Sequence, residues 1–371
     1  MLIAQVTPRY YPSVGGVEVV VQKLATAMAN YGHEVEVLTI NHSSVLPSEE
    51  AVEGILIKRF RAKKIYDYSP ELGRYLVSEG HRYDVVHAHS LHTFIPHVAA
   101  LARQRNPRFK LVITGHYHGR GRNELSTFLL RLYRPLGRTV LKSADGFICV
   151  SNFEANLLKK HLAVPSDHVS VIANGVELDE IRSASALPGS VKCILIVSRL
   201  ERYKNVELAV RAMGYISEDV KLVVVGDGPD RPRLQKLVQK MNLRERVLFQ
   251  GSVSKSDLYR WYKTCSLVLN LSDLEAFGLT VIEGLAAGKP VLVNNRTALA
   301  ELAKRFSGVT AVNVGELGPR GLAEAILTRM ESLFVAPTLD EYKWSTIAEK
   351  VLTSYRKILN GGQACCDGSG G

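Results

Sequence analysis

Short apolar runs alternate with amphipathic segments along most of the chain. Residues 2–6 form the first apolar run, as expected of a strand buried on both faces. Residues 17–31 follow with an apolar residue at every third or fourth position, which predicts a helix. The apolar face of this helix consists of Val17, Val20, Val21, Leu24 and Met28. A strand followed by a helix is the repeating unit of a parallel α/β sheet.

The same alternation restarts in the second half of the chain, after a stretch at 183–189 that we interpret as a linker. Apolar runs at 192–198, 220–225 and 247–249 are typical of strands, and helical patterns follow them. The pattern therefore repeats as a second α/β unit.

A length of 371 residues is too large for one ordinary core and fits two domains. We predict two doubly wound α/β domains, at residues 1–178 and 179–341. A final amphipathic helix at 342–360 is expected to join the first domain, and 361–371 to form a flexible tail.

The segment at 266–293 reads as strand, acidic loop, helix and strand. Gly278 precedes a helix predicted at 279–287, whose first N–H groups have no partner within the helix and can hold an anion such as a diphosphate. Glu275 and Glu283 are expected to flank that anion and to bind hydroxyl groups at its two ends. The same spacing also fits two glutamates in ordinary surface salt bridges.

Net charge is +11, and it is unevenly distributed. Residues 101–142 contain ten Lys or Arg residues and one acidic residue, Glu124. A second basic cluster lies at 58–64. Such clusters fit an anionic lipid surface, a phosphorylated substrate or nucleic acid, and they also fit an ordinary solvated face.

A helix is predicted at 124–142, with an interruption at Pro135. Its apolar positions are Leu125, Phe128, Leu129, Leu132 and Leu136. A basic amphipathic surface of this kind is typical of a protein that lies on an anionic membrane. The alternative is that the apolar stripe belongs to the core.

The chain contains no apolar run of transmembrane length and no signal-peptide pattern. We therefore expect it in the cytoplasm, or peripherally at the cytoplasmic membrane face. Cys149, Cys193 and Cys265 lie in apolar runs and are expected to be buried thiols.

Five histidines follow the strands of the first half: His87, His89, His92, His116 and His118. They lack the partner spacing of a zinc site. We expect most of them to be structural or solvent-facing. His116 is the exception, because a residue that follows a parallel strand points toward the ligand site.

Arg199 and Lys204 follow a predicted strand end, where they can neutralise a diphosphate. Five short motifs then occur in order over residues 2–359, and they are Gly15-Gly16, Asn174-Gly175-Val176, Ser198-Arg199 with Lys204, Gly226-Asp-Gly-Pro229, and Phe277-Gly278-Leu279 between Glu275 and Glu283. In this combination the chain resembles the retaining glycosyltransferases of family 4, also called group 1. The resemblance implies the GT-B fold, in which two Rossmann-like doubly wound domains face each other across a crevice.

The resemblance also implies roles for single residues of the second domain. Arg199 and Lys204 would bind the diphosphate of a nucleotide-sugar donor, helped by the backbone at 278–280, that is Gly278, Leu279 and Thr280. Glu283 would hold the ribose hydroxyls, and Glu275 would hold hydroxyls of the transferred sugar.

Other implied contacts involve backbone and a histidine. The backbone near Val253 would meet the base, and Gly15 and Gly16 would approach the phosphates and the acceptor. His116 would lie near the reacting sugar. No cofactor and no metal are implied, and the reaction would be a front-face transfer in which the leaving phosphate takes the acceptor proton.

Several positions depart from the family pattern. Ala173 replaces a proline and Glu177 an aspartate around Asn-Gly-Val. Tyr117 follows His116 where an acidic residue is common, Asn205 follows Lys204 where glycine is frequent, and 295–300 replaces a glycine-rich turn. These departures bear on acceptor contacts and sugar orientation.

The predicted function is that of a metal-independent hexosyltransferase, which transfers a sugar from a UDP- or GDP-sugar. The expected acceptor is a sugar, a lipid-linked molecule or a phosphorylated molecule. No nucleic-acid partner is expected. A nicotinamide dehydrogenase lacks support, because no G-x-G-x-x-G fingerprint is present. A nucleotide-sugar epimerase and a non-catalytic nucleotide-sugar-binding protein remain as alternatives.

Overall fold

Two sheets of mostly parallel strands organise the chain. The computed structural model describes residues 1–13, 15–43, 45–62, 68–121, 124–189, 192–333 and 335–361. The chain divides into one unit of residues 1–175 with the C-terminal residues from 344, and a second unit of residues 176–343.

The sheet of the first unit has the strand order β3-β4-β2-β1-β5-β6-β7-β8. Its strands are β1 (Leu2–Thr7), β2 (Glu34–Asn41), β3 (Glu49–Val52), β4 (Ile55–Arg61), β5 (Val85–His89), β6 (Lys110–Thr114), β7 (Gly146–Cys149) and β8 (Val169–Val171). Its first five helices are α1 (Gly16–Asn30), α2 (Pro70–Glu79), α3 (Ile95–Arg105), α4 (Glu124–Leu141) and α5 (Asn152–Leu162). Only β3 pairs antiparallel to its neighbour among these described strands.

The second unit has six parallel strands in the order β11-β10-β9-β12-β13-β14. They are β9 (Cys193–Val197), β10 (Lys221–Val225), β11 (Val247–Gly251), β12 (Leu267–Asn270), β13 (Val291–Asn294) and β14 (Val309–Val312). The helices are α6 (Leu178–Ser183), α7 (Val206–Ala212), α8 (Arg231–Lys240), α9 (Lys255–Thr264), α10 (Leu279–Ala286), α11 (Thr297–Arg305) and α12 (Pro319–Glu331). The predicted class, two doubly wound α/β sheets, is confirmed.

Several local predictions are wrong. The helix at α4 continues through Pro135. Pro135 lies on the exposed side of that helix. Water can therefore donate a hydrogen bond to the backbone carbonyl that proline, which has no N–H, leaves without a partner. The segment at 183–189 is not a linker between units, because it follows α6 inside the second unit, and Leu178 and Ile181 of α6 are buried.

The basic cluster at 58–64 is mainly structural where it is described. The Lys58 ammonium donates to Glu36 at 2.9 Å, and the Arg59 guanidinium pairs with Glu50. Both basic side chains are nearly buried, so their charges are neutralised within the fold. Lys63 and Lys64 lie outside the described residues.

Helix α3 was not predicted, and its composition explains why. Residues 95–100 of α3 are all buried, so this half of the helix shows no polar face and no period of 3.6. The expectation of buried thiols is confirmed for Cys149, Cys193 and Cys265. No helix in the described part of the chain has both the length and the apolar character needed to span a bilayer.

The final helix, α13 (Trp344–Leu359), packs in the first unit. Its buried face shares an apolar cluster with α1 and β1. Those buried residues are Ile347, Ala348, Val351, Leu352 and Tyr355. Residues 362–371 of the expected tail, with Cys365 and Cys366, lie outside the described residues.

A buried polar network links α13 to three strands. The Tyr355 hydroxyl lies 2.6 Å from Nδ1 of His87, and Nε2 of His87 lies 2.7 Å from the Thr114 hydroxyl. Nε2 of His89 lies 2.8 Å from Oε1 of Gln5, whose amide nitrogen donates to Tyr355. His87 and His89 are therefore structural, and the expectation of solvent exposure does not apply to them.

Burial also fixes the charge state of these histidines. Burial, and secondarily the neighbouring His116, lowers the pKa of His87 to about 3. Burial, with His87 and His116, also lowers the pKa of His89 well below its ordinary value. Both rings are neutral at physiological pH.

We predict that the protein loses stability as pH falls below about 6.5. Below that pH His87 and His89 bind protons in the unfolded chain, whereas their lowered pKa keeps them unprotonated in the folded state. Each fully buried histidine contributes about 1.4 kcal/mol of loss for each pH unit in this range. The measurement is the free energy of unfolding in urea between pH 7.5 and pH 5. His87→Asn should reduce the slope with pH, whereas the exposed His168→Asn should leave it unchanged. Equal slopes in the two variants would contradict the assignment.

Candidate active site

A buried ion pair joins two of the predicted phosphate-site residues. The ammonium of Lys204 lies 3.1 Å from Oε2 of Glu275, and only 16% and 22% of the two side chains are exposed. Burial by itself would lower the pKa of Lys204, but Glu275, together with Tyr203 and Glu201, more than offsets this, and the pKa is raised. Lys204 is therefore held as a cation close to the start of α10.

Arg199 follows β9 and is held by a close crossing of two loops. A Cβ at Gly226 would lie 2.1 Å from the carbonyl oxygen of Ser198, and one at Gly228 would lie 2.4 Å from that of Leu200. The N–H of Leu200 donates to the carbonyl of Asp227 at 2.9 Å, which fastens the crossing. Glycine is required at both positions because another backbone occupies the space of a side chain.

The guanidinium of Arg199 is half exposed, and its Nε lies 3.0 Å from Oε1 of Glu201. Arg199 thus pairs with a neighbour in its own loop, and Lys204 pairs with Glu275. Glu201 was not among the predicted site residues, since no motif marks it.

Asn205 explains how the chain tolerates the loss of a family glycine after Lys204. Its backbone has φ 54° and ψ 29°, a left-handed conformation that asparagine adopts more readily than most residues. Its side-chain amide donates to the carbonyl of Leu271 and to Oδ2 of Asp273, both at 2.9 Å. The substitution therefore keeps the turn and ties it to the loop after β12.

The start of α10 has the features expected of an anion site. Gly278 precedes the helix with φ 102°, and a Cβ there would lie 2.9 Å from Leu299 of α11. Both the conformation and the packing therefore need glycine. Thr280 accepts a hydrogen bond from the Asn270 amide at 2.9 Å, which ties the first turn to β12. Phe277 is buried, and Leu279 is the first helical residue.

Glu283 lies in α10 and has a partner that the sequence did not reveal. The hydroxyl of Tyr262, a buried residue of α9, donates to Oε2 of Glu283 at 2.6 Å. Burial raises the pKa of Glu283, and the Tyr262 hydrogen bond acts against this rise. The Tyr262 hydroxyl thus fixes the orientation of one carboxylate oxygen of Glu283.

Val253 is half-buried in the loop between β11 and α9.

In the first unit, Gly15 caps the start of α1, and Gly16 is the first helical residue. A Cβ at Gly15 would lie 2.4 Å from a carboxylate oxygen of Glu18, whereas one at Gly16 would meet nothing within 4 Å. A side chain at Gly15 would displace only the end of the flexible Glu18 side chain, and Gly16 leaves open space beside the helix start.

His116 lies just after β6 with φ 47°, an uncommon conformation for a residue with a side chain. Its ring stacks on that of His89 at 5.7 Å between centroids, and its buried Nε2 has no hydrogen-bond partner among the described residues. Burial, and secondarily His92, lowers the pKa of His116 to about 4. His116 is therefore a neutral imidazole with an unused polar atom.

Helix α4 carries its apolar stripe on the outside. Leu125 is 67% exposed, Leu132 is 63% exposed, and Leu136 is 62% exposed. Phe128 and Leu129 are also exposed. The alternative that this stripe belongs to the core is therefore wrong. The helix carries Arg131 and Arg138 as exposed basic residues.

Comparison with known proteins identifies the family. Residues 14–180 match the model of Glycosyltransferase Family 4, and residues 178–342 match that of Glycosyl transferases group 1. The chain belongs to glycosyltransferase family 4. It is therefore a nucleotide-sugar glycosyltransferase of a retaining family.

Relatives of this family-4 chain include the alpha-monoglucosyldiacylglycerol synthase of Streptococcus pneumoniae, 26% identical over 95% of this chain and 82% of that protein. The D-inositol 3-phosphate glycosyltransferase of Xylanimonas cellulosilytica is 29% identical over 79% of each chain. Among solved structures, Anabaena HepE in complex with UDP and glucose superposes with a TM-score of 0.73 at 20% identity, over 97% of this chain and 99% of that one. The predicted family and GT-B fold are confirmed.

The described residues of this family-4 enzyme contain no group of three or more His, Cys, Asp or Glu side chains arranged to hold a metal ion. Tyr262, Glu201 and Asn205 are the neighbours of the site that sequence reasoning missed. Only Asn205 left a signal, since a non-glycine residue at a usual glycine position points to a left-handed backbone.

We predict that Asn205→Gly lowers the free energy of unfolding by ~1–3 kcal/mol more than Asn242→Gly does, because two side-chain hydrogen bonds are lost. Asn242 is a matched control, since it has φ 56°, is exposed, and makes no side-chain hydrogen bond with the described residues. The backbone contribution cancels between the two variants. Equal effects in urea denaturation would show that the amide contacts of Asn205 do not support the Lys204 turn.

Proposed function

We propose that this enzyme transfers a hexose from a UDP- or GDP-sugar to a hydroxyl group, with retention at the anomeric carbon. The observation that carries this proposal is the nearly buried pair of Lys204 and Glu275. Glu275 lies three residues before Gly278, the glycine that precedes α10. A preorganised cation next to a helix start is suited to a diphosphate. The carboxylate beside it is suited to sugar hydroxyls.

The donor would lie along the carboxyl ends of the strands of the second unit. Lys204, Arg199 and the backbone at Gly278, Leu279 and Thr280 hold the diphosphate in this proposal. Glu283, oriented by Tyr262, takes the ribose hydroxyls. In this proposal the backbone near Val253 meets the base, and Gly15 and Gly16 approach the phosphates and the acceptor.

The reaction breaks the bond between the anomeric carbon and the β-phosphate oxygen. A bond forms on the same face between that carbon and the acceptor oxygen, and the acceptor proton passes to the departing phosphate oxygen. The products are a glycoside and a nucleoside diphosphate. Stabilising the leaving charge and orienting the acceptor are then the main contributions of the protein.

His116 would act beside the reacting sugar as an uncharged group. A pKa of about 4 leaves the imidazole neutral at pH 7, so it can donate or accept a hydrogen bond but does not supply a positive charge. Its unused Nε2 is the atom we assign to this contact.

We also propose a lipid-linked or phosphorylated acceptor, reached at an anionic membrane surface through α4. The names of the pneumococcal and Xylanimonas relatives include a diacylglycerol and an inositol phosphate, which motivates this class. The exposed apolar stripe and the adjacent arginines of α4 fit a helix that lies in the membrane interface.

A non-catalytic nucleotide-sugar-binding protein and a nucleotide-sugar epimerase are the two alternatives that the sequence left open. Product analysis separates both from a glycosyltransferase, because a binding protein releases no nucleoside diphosphate from a UDP- or GDP-sugar. An epimerase would release the nucleotide or return an epimeric sugar without forming a glycoside with the acceptor.

We predict that Lys204→Ala and Arg199→Ala each lower kcat by ~10²-fold or more, because each removes one preorganised group that stabilises the leaving phosphate. Lys192→Ala is the matched control. Lys192 directly precedes the opposite end of β9 and makes one ion pair, at 3.9 Å from Asp219. Nearly normal turnover in both site variants, with intact circular dichroism, would remove the proposed role.

We predict that the protein floats with vesicles that contain phosphatidylglycerol, and not with pure phosphatidylcholine vesicles. Replacing Arg131 and Arg138 by Glu should weaken binding at least ~10-fold, since each basic group near such a surface contributes roughly 1 kcal/mol. Binding should also weaken as salt is added.

Two control substitutions test whether position matters. Leu132→Asn removes apolar surface from the stripe, whereas Leu333→Asn changes the same residue type at a site that is 99% exposed elsewhere. Arg320→Glu reverses a charge that is 80% exposed on α12. Equal flotation of control and stripe variants would contradict membrane binding through α4.

A further inference from the structure

A glutamate in the first unit is fully buried without an ion pair among the described residues. Glu154 lies in the first turn of α5 and is 0% exposed. Its Oε1 accepts the N–H of Tyr117 at 2.6 Å, and its Oε2 accepts the N–H of Val150 at 2.7 Å. Buried carboxylates are rare and need such partners, so this one serves the backbone that it binds.

The first of these hydrogen bonds acts on the peptide that follows His116. His116 has φ 47°, and a residue with a side chain keeps such a conformation only when its surroundings hold it there. Fixing the direction of the Tyr117 N–H fixes the peptide plane on the C-terminal side of His116. Glu154 therefore acts directly on the backbone that aims the imidazole.

The adjacent residues fit this carboxylate closely. A Cβ at Gly115 would lie 2.8 Å from Oε1 of Glu154, so only glycine lets the loop come this near. The Tyr117 hydroxyl lies 3.0 Å from Nδ1 of His161, also on α5. Helix α5 thus holds Tyr117 at both its backbone and its side chain.

Tyr117 stands where the family resemblance leads us to expect an acidic residue. In this chain a carboxylate from α5 binds the backbone N–H of that residue. Ser151 and Glu154 have the spacing of a helix capping box, but nothing in the sequence links Glu154 to Tyr117, 37 positions away.

We propose that Glu154 is the positioning residue that holds His116 in its left-handed, working orientation. The inference rests on the proposed role of His116 beside the reacting sugar. Glu154 itself touches neither donor nor acceptor in this proposal.

The first test is Glu154→Gln, which keeps the shape of the side chain. The amide has one oxygen acceptor, so its NH₂ group must face one of the two backbone N–H groups. We expect kcat to fall roughly 10- to 100-fold, as misplacement of a reacting group does, with little change in KM for the nucleotide sugar. A normal kcat in the folded variant overturns the proposal.

The matched control is Glu36→Gln in the same unit. Glu36 is 7% exposed and is bound by Lys58 at 2.9 Å and by the Tyr83 hydroxyl at 2.6 Å. This variant should lower the melting temperature without changing kcat of the folded protein. A similar kcat loss in both variants at matched stability would show a general packing effect and would overturn the proposal.

The decisive measurement is a double-mutant cycle with His116→Ala. If Glu154 acts through His116, Glu154→Gln lowers kcat in the parent protein but causes little further loss in the His116→Ala background. Equal fold-losses in both backgrounds overturn the proposal while leaving the role of His116 intact. Full activity of His116→Ala removes the role of His116 and the proposal together, without touching the glycosyltransferase assignment.

Gly115→Ala provides a second variant if Glu154→Gln does not fold. Its Cβ would press on the same carboxylate and on the end of the Leu91 side chain, each at 2.8 Å, within a backbone conformation that alanine can adopt. We expect the same non-additivity with His116→Ala. Additive losses or a normal kcat in Gly115→Ala would again overturn the proposal.

Discussion

The close crossing of the loops after β9 and β10 is the constraint on which the candidate site of the second unit depends. Gly226 and Gly228 lie against the backbone of Ser198 and Leu200, at distances that leave no space for a side chain. The crossing fixes the path of the chain from β9 toward Lys204 and so places the cations of the site. Two short motifs that look unrelated in sequence are the two sides of one contact.

The two units differ in how they accommodate ionisable side chains that are shielded from water. In the second unit, Lys204 keeps its charge in a nearly buried position because Glu275 compensates it. In the first unit, burial keeps His87, His89 and His116 neutral, and their polar atoms are satisfied by side chains or remain available. A diphosphate requires the first kind of environment.

Helix α4 shows how an apolar pattern acquires a different meaning in three dimensions. Its periodicity is that of any amphipathic helix, and either the core or a second surface could cover the apolar face. The fold buries Gly137 and Leu141 and leaves Leu125, Leu132 and Leu136 outside. The basic residues beside the exposed stripe then limit the kind of surface that is complementary to it.

Periodicity and glycine positions in the sequence were enough to predict two doubly wound α/β sheets, because parallel strands and their helices have characteristic and repeated patterns. They also predicted a phosphate site at Arg199, Lys204, Glu275 and Gly278, since phosphate sites at strand ends need cations and glycine. The family resemblance added roles to these residues.

Tertiary structure decided which groups face each other. The contacts of Glu154 with Tyr117, of Tyr262 with Glu283, and of Tyr355 with His87 join residues that are far apart in sequence. No local periodicity or spacing in the sequence encodes such pairs, because they depend on how the helices pack on the sheet. For the same reason, the neutral state of His116 and the exposure of the α4 stripe followed only from burial in the folded chain.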